Sequence, residues 1–233
     1  MADDTIERRQ FLLGAGLAGT AVAAGLAPPA PAQAAAPATN AEPVPYLVLT
    51  ATEADFLAAT ADAMIPADEL SPSGSDCGIV TFIDRQLASA WGGGAKMYRG
   101  GPFTKGKPEQ GYQLSLTPLE FFQVGIAAAN AWSRRTYGKD YDRLASADRV
   151  AALKAMEEGK ADFGTFSSRA LFGQLLAITM QGFFSDPVYG GNRDKVSWKM
   201  LGFPGLPATY AEQFEAYRDK RYVAPPQSIS DFS

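Results

Sequence analysis

The sequence predicts a mainly α-helical protein: a single compact domain of about six helices with long Gly/Pro-rich loops, set behind an N-terminal signal peptide. Three observations carry this. Apolar residues recur at three- and four-residue spacing through most of the chain after residue 50. Cap residues open these stretches, and glycine or proline closes them. No run of residues alternates convincingly as a strand, although residues 111–116 could be extended.

The N-terminus comes first. Arg8 and Arg9 precede Phe11 and Leu12, which open a moderately apolar, Gly/Ala-rich stretch over residues 11–27. Paired arginines in this position are the address read by the bacterial twin-arginine exporter. The stretch is shorter and less oily than a spanning helix, which needs roughly 20 strongly apolar residues. Pro28, Pro29 and Pro31 stop any helix, and Ala32-Gln33-Ala34 offers small residues where a signal peptidase reads. Cleavage is expected after Ala34, with Ala36 as the alternative. Residues 35–48 read as a flexible Ala/Pro-rich leader, 49–222 as the folded domain and 223–233 as a tail.

The elements of the domain follow in order. Thr50 and Glu53 form a capping box, in which hydroxyl and carboxylate each satisfy a backbone N–H at a helix start. Phe56, Leu57, Ala61 and Met64 then make one stripe, ended by Pro66. Ile79, Phe82, Ile83 and Leu87 place a second helix over residues 78–90. Thr117 and Glu120 form another capping box with Pro118 at the first helical position, and Gly138 closes that helix after Tyr137. Ser146 is expected to cap a helix through Glu158, with Gly159 beyond its end. Ser167 starts a helix to Phe184 that is apolar on several faces and therefore reads as the central one. Asn192 is expected to cap a short helix through Met200, ended by Gly202, and a last helix is expected over residues 209–220.

Composition removes several kinds of chemistry. The chain has no histidine and one cysteine. Haem, copper, most zinc sites and iron–sulfur clusters require His or several Cys, and a Ser-His-Asp triad requires His. The G-x-G-x-x-G at residues 14–19 lies in the signal with no strand before it, so it is not a dinucleotide fingerprint. The phosphate-loop-like run at residues 101–107 continues with Pro108, which lacks both a hydroxyl and an N–H. Loss of residues 1–34 removes two arginines and three acids, so the formal charge moves from −4 to −3. That gives no case for nucleic acid or anionic lipid. The mature chain contains no further spanning segment. Asp62, Asp68, Asp84, Glu157, Glu158, Asp186 and Asp194 could serve carboxylate catalysis, but each has a plainer reading as a cap, solvated face or turn residue.

The segment from Asp186 to Gly205 stands apart, because glycines, prolines, aromatics and charges interleave there. Tyr189, Gly190, Gly191, Asn192, Arg193, Asp194 and Trp198 can present a partner with the arginine and aromatic anchors that interfaces favour. The same residues equally suit a loop that packs on itself.

Phe183-Phe184-Ser185-Asp186-Pro187-Val188-Tyr189-Gly190-Gly191-Asn192-Arg193-Asp194, then Trp198-Lys199-Met200-Leu201-Gly202-Phe203-Pro204-Gly205, resemble the small subunit (subunit 3, or gamma) of bacterial flavin-dependent gluconate 2-dehydrogenases. Ile65-Pro66-Ala67-Asp68, Phe82-Ile83-Asp84, Gly101-Pro102-Phe103, Gln110-Gly111-Tyr112-Gln113 and Leu116-Thr117-Pro118 support the likeness, which covers about residues 49–217. The resemblance implies a subunit that holds no cofactor and supplies no catalytic, cofactor-binding or metal-binding residue. Its implied partners are a large FAD-containing subunit, a multihaem cytochrome c carrying haem c, and the twin-arginine export machinery. The implied location is the periplasm, peripheral to the inner membrane through the complex. Substrate choice, among gluconate, 2-ketogluconate or another sugar, would lie in the large subunit.

Cys77 sits in a loop entering a helix. An unpaired cysteine in an oxidising compartment suggests a bridge or close contact with the large subunit, or a small buried residue. Two classes of function stay open: an export and assembly subunit, and a stand-alone periplasmic binding protein that takes an acidic sugar on its Gly-Asn-Arg loop.

Overall fold

The computed structural model describes residues 45–104, 106–107, 110, 114–207, 209–211 and 213–232. Seven α-helices occur among them: α1 (Ala51–Met64), α2 (Ile79–Ala88), α3 (Pro118–Tyr137), α4 (Ser146–Glu157), α5 (Ser168–Phe184), α6 (Val196–Leu201) and α7 (Gln213–Ala216). Among the described residues the only β pairing is a single parallel bridge between Gly205 and Gln227. No helix among them is long and apolar enough to cross a membrane.

Both capping boxes form. The Thr50 N–H donates to Glu53 Oε2 at 2.8 Å while the Glu53 N–H donates to Thr50 Oγ1 at 3.3 Å. Thr117 and Glu120 repeat the exchange at 2.7 and 3.2 Å. At the far end of α3, Gly138 takes φ 74° and its N–H reaches the Arg134 carbonyl, with Arg134 and Arg135 in the last turn where cations favour the helix dipole. Ser167 caps α5 by accepting the Ala170 N–H at 3.2 Å. Ser146 does not cap α4: Ala145 holds the cap position without a side-chain bond, and Ser146 is already helical. The backbone turn before α4 therefore supplies the start that the serine hydroxyl was expected to supply.

α5 packs against α1, α2, α3, α4 and α6, which bears out its central place. Phe56, Leu57, Ile79, Ile83, Leu87, Phe121, Phe122, Ile126, Met156, Leu171 and Leu175 fill the space between them with almost no exposure. Burial of such side chains supplies about 1.5–3 kcal/mol each. One arc of α5 nevertheless faces outward, with Leu176 and Met180 exposed.

Three other expectations change. The helix expected over residues 209–220 reduces to α7, after which Asp219 turns the chain at φ 60°. Residues 114–116 form no strand, and 111–113 lie outside the described residues. The signal, with Arg8, Arg9, Phe11 and Leu12, also lies outside the described residues.

The segment before α1 is tied down by Asp84, a carboxylate only 3% exposed on α2. Its Oδ2 accepts the Leu47 N–H at 2.7 Å, and its Oδ1 accepts the Val48 and Leu49 N–H groups at 3.0 and 3.1 Å. Three backbone donors satisfy the buried charge, which would otherwise be costly. Asp84 is thus neither a cap nor a solvated residue, contrary to the sequence reading.

Candidate functional site

The segment after α5 is a loop whose backbone is fixed at nearly every step. Asp186 opens it by accepting the Val188 N–H on Oδ1 and the Ile229 N–H on Oδ2, both at 2.9 Å. A 3₁₀ turn over Pro187–Tyr189 follows, closed by Gly190 at φ 101°. Arg85 on α2 donates to the Val188 carbonyl at 3.2 Å. The Arg193 N–H donates to the Cys77 carbonyl at 3.0 Å. The loop therefore seats on the start of α2. Contact is closest at Gly78, where φ is 84° and an added Cβ would lie 2.3 Å from the Gly190 carbonyl oxygen.

Asn192, Asp194 and Lys195 all take left-handed backbone angles, at φ 46°, 59° and 58°. Such a cluster of non-glycine residues persists only where surrounding contacts enforce it. Asn192 supplies many of them. Its Nδ2 donates to the Ser185 carbonyl at 2.9 Å, and its Oδ1 accepts the Ser197 N–H at 2.9 Å and the Ser197 hydroxyl at 2.7 Å. Asn192 therefore does bond the first turn of α6 but reaches it across the intervening 3₁₀ turn, Arg193–Lys195, while Lys195 holds the cap position itself.

The structure brings Cys77 and the loop together and separates the expected interface residues into two sets. Asn192 is fully buried, and Gly191, Trp198 and Cys77 are buried. The Trp198 indole donates to the Phe184 carbonyl at 3.0 Å and meets the Phe203 ring edge-on at 5.2 Å. Cys77 is 1% exposed, with its thiol donating to the Pro72 carbonyl at 3.6 Å. These four positions hold the loop in shape rather than offering side chains to a partner, and a bridge from Cys77 would require the loop around it to open. Tyr189, Arg193 and Asp194 face outward.

Two features were not read from the sequence. Residues 227–232 pack back on the loop. The Leu206 N–H donates to the Gln227 carbonyl and the Gln227 N–H to the Pro204 carbonyl, both at 2.9 Å. Lys195 forms an ion pair with Asp231. The Lys195 ammonium, joined by the Ser228 N–H, holds the Asp231 carboxyl below its ordinary pKa. The second is an aromatic cleft of about 610 Å³ lined by Phe203, Tyr210, Phe214, Tyr217 and Tyr222, with Arg218 and Lys220 at its side. The Tyr217 and Tyr222 rings meet edge-on at 4.8 Å. Only the density of aromatics after residue 202 hinted at it.

Of the carboxylates considered for catalysis, Asp62 accepts the Ser75 N–H and Asp68 accepts the Leu70 and Ser71 N–H groups, both loop-shaping roles. Among the described residues no group of three or more His, Cys, Asp or Glu side chains could hold a metal ion.

The family model described as gluconate 2-dehydrogenase subunit 3 matches residues 51–205. The chain belongs to this family. No curated protein and no solved structure matches the chain. The subunit 3 match spans α1 to α6 and the whole left-handed loop, and it stops at Gly205, where the bridge to Gln227 begins. The loop and its seat on α2 thus belong to the subunit 3 domain, while α7, the cleft-lining residues from Tyr210 to Tyr222 and residues 227–232 lie beyond the matched stretch.

Proposed function

We propose that the protein is the non-catalytic small subunit of a periplasmic, membrane-associated, flavin-dependent gluconate 2-dehydrogenase, or of a related sugar or sugar-acid dehydrogenase such as a 2-ketogluconate dehydrogenase. In this reading it supports twin-arginine export, folding and stability of a large subunit that holds FAD, and a multihaem cytochrome c takes up the electrons. The observation that carries the reading is the subunit 3 match from residue 51 to residue 205. The Arg8-Arg9 pair ahead of an apolar stretch supports the export role. A chain without histidine and with a single cysteine supports placing flavin and haem c in other subunits. Tyr189, Arg193 and Asp194, held outward by a loop that cannot easily rearrange, suit contact with those subunits.

The test is periplasmic dehydrogenase activity in cells with this chain, without it, and with Arg8→Lys and Arg9→Lys together. The reading expects activity and the large subunit to leave the periplasm in both altered strains. Export of an active large subunit without this chain would overturn the carrier role and favour a stand-alone binding protein for an acidic sugar.

A further inference from the structure

We propose that the described residues from Leu206 to Pro226 form a flap that swings as one body about a neck at Gly205 and Gln227, covering and uncovering the cavity beside Trp198. The chain leaves the helical domain and returns to it at one place. Gly205 bridges to Gln227, the Leu206 N–H donates to the Gln227 carbonyl, and the Gln227 N–H donates to the Pro204 carbonyl, both at 2.9 Å. The approach is close: a Cβ on Gly205, at φ 71°, would lie 2.1 Å from the Gln227 carbonyl oxygen and 2.7 Å from the Trp198 ring. Behind the neck, the Asp186 bond to the Ile229 N–H and the Lys195–Asp231 pair fix the returning segment to the domain.

Between the two sides of the neck the chain packs on itself. Tyr222 meets Tyr210 and Tyr217 edge-on, with ring centroids 5.7 and 4.8 Å apart. The Arg218 guanidinium lies over the Phe214 ring at 5.6 Å and donates to Glu215 at 2.9 Å. The Gln213 and Phe214 N–H groups donate to the Tyr210 carbonyl, and the Tyr217 N–H to the Gln213 carbonyl, each at 3.0 Å. These contacts give the segment a shape of its own.

Its hold on the helical domain is slight. No described residue from 206 to 226 is buried. Among the described residues α7 packs extensively on no other helix. The Tyr210 hydroxyl donates to the Gly205 carbonyl at 2.9 Å, a tie that lies at the neck itself. Where the segment faces the domain, cavities take the place of packed side chains. Phe203 and Tyr210 line both the aromatic cleft and a second cavity of about 370 Å³, bounded also by Asp186, Trp198, Gly205 and Leu206. Protein interiors are otherwise close-packed, and a segment with few buried contacts belongs to the part of a structure that opens most readily. Hinge motion concentrates at the few backbone positions that join two bodies, and here those positions are the neck. Closed, the flap lays Leu206 and Tyr210 over the cavity beside Trp198; open, it lets solvent reach that ring.

The experiment measures distances between pairs of spin labels on the purified full-length chain, with Cys77→Ala throughout so that only the added cysteines are labelled. Gln181→Cys/Lys220→Cys spans the neck, Ala211→Cys/Lys220→Cys lies within the flap, and Gln181→Cys/Glu157→Cys lies within the helical domain. All these positions are exposed. The proposal expects the pair across the neck to give a distribution about twice as wide as either pair within a body. Gly205→Ala, which forces the neck apart, and Tyr210→Phe, which removes only the hydroxyl tie, should each move that distribution toward longer distances. Thermal unfolding should place Tyr210→Phe within a few degrees of wild type, so this variant decides the matter if Gly205→Ala does not fold. A distribution across the neck as narrow as that within the domain would show a fixed segment and overturn the proposal. A pair within the flap as broad as the pair across the neck would show a loose tail instead of one body, and would overturn it equally. No movement of the distribution in folded Tyr210→Phe would mean that the neck is not the hinge.

Discussion

The Oδ1 of Asp84 accepts the Leu49 N–H at 3.1 Å across 35 residues of sequence, and the same carboxylate takes the N–H groups of Val48 and Leu47. One side chain on α2 thus ties residues 47–49 to the helical core. Asp84→Ala strands three backbone donors and is expected to destabilise the domain by about 3 kcal/mol. Asp84→Asn keeps an acceptor but loses the charge, and is expected to cost roughly half as much. Urea unfolding gives both values. Proteolysis near residues 45–50 should quicken in Asp84→Ala before global unfolding begins, and equal cleavage in variant and wild type would refute the anchoring role.

Gly78 and Gly173 are opposite cases. Gly78 combines φ 84° with a carbonyl oxygen 2.3 Å from where its Cβ would lie, whereas Gly173 sits inside α5 where, beyond its own helix, no described residue comes within 4 Å of that position. Gly78→Ala is expected to destabilise by about 3 kcal/mol through backbone strain and displacement of the 190–193 turn. Gly173→Ala is expected to stabilise the isolated chain by about 0.5–1 kcal/mol, the helix-propensity difference. Denaturant midpoints of the two variants should therefore move in opposite directions. Movement of both in the same direction would refute the contrast.

What the sequence disclosed and what it hid divide by range. Thr50 with Glu53, and Thr117 with Glu120, were legible because each cap closes over three residues and needs no tertiary information. Asn192 was legible in part: its preference for turns and caps was plain, but its bond to Ser197 skips a 3₁₀ turn that propensity does not announce. Trp198 looked equally suited to interface and interior. The carbonyl that satisfies its indole belongs to Phe184 at the end of another helix, so only the fold decides. Asp84 was read as ordinary for the same reason, since its donors lie more than thirty residues away. The subunit 3 likeness depended on the glycine–asparagine–arginine–aspartate run, and the structure gives that run a physical content: left-handed angles enforced by a buried amide and a glycine–glycine approach.

Tyr141 gives the domain an alkaline weakness. The ring is fully buried against Phe56, with centroids 4.8 Å apart, and among the described residues its hydroxyl oxygen makes no hydrogen bond of ordinary geometry. Burial raises the phenol's pKa far above its ordinary 10.0, against smaller opposing effects of Thr60 and Arg149. The folded state keeps the proton that the unfolded chain loses, so the contribution is full below 10.0 and is lost as pH rises toward the folded value. Tyr141→Phe removes the buried, ionisable hydroxyl. Its stability is expected to fall less steeply above pH 10.0 than that of wild type, with little loss at neutral pH. Parallel slopes in denaturant titrations across that range would show that Tyr141 is not the group responsible.

The Lys195–Asp231 pair fastens residues 227–232 to the left-handed loop, and acid should release it. The Lys195 ammonium is the main reason the Asp231 carboxyl sits below its ordinary 3.8, with the Ser228 N–H adding to the effect. A carboxyl whose pKa is lowered by folding stabilises the folded form above the unfolded value and stops doing so as pH falls through the folded value. The fastening should therefore hold throughout the neutral range and fail only below the ordinary carboxylate range. Both side chains are partly solvated, so salt should weaken the pair as well. The N–H groups of Leu206 and Gln227, which join the two segments, report the change directly. Their hydrogen-exchange protection is expected to drop in acid relative to that of the α5 amides, once intrinsic exchange is divided out. Asp231→Asn should show the lower protection already at neutral pH, and added salt should affect the wild type more than the variant. The Asp186 bond to the Ile229 N–H is a separate tie on the same segment. Unchanged protection in Asp231→Asn would mean that this second tie suffices and that the ion pair does not hold the C-terminal segment.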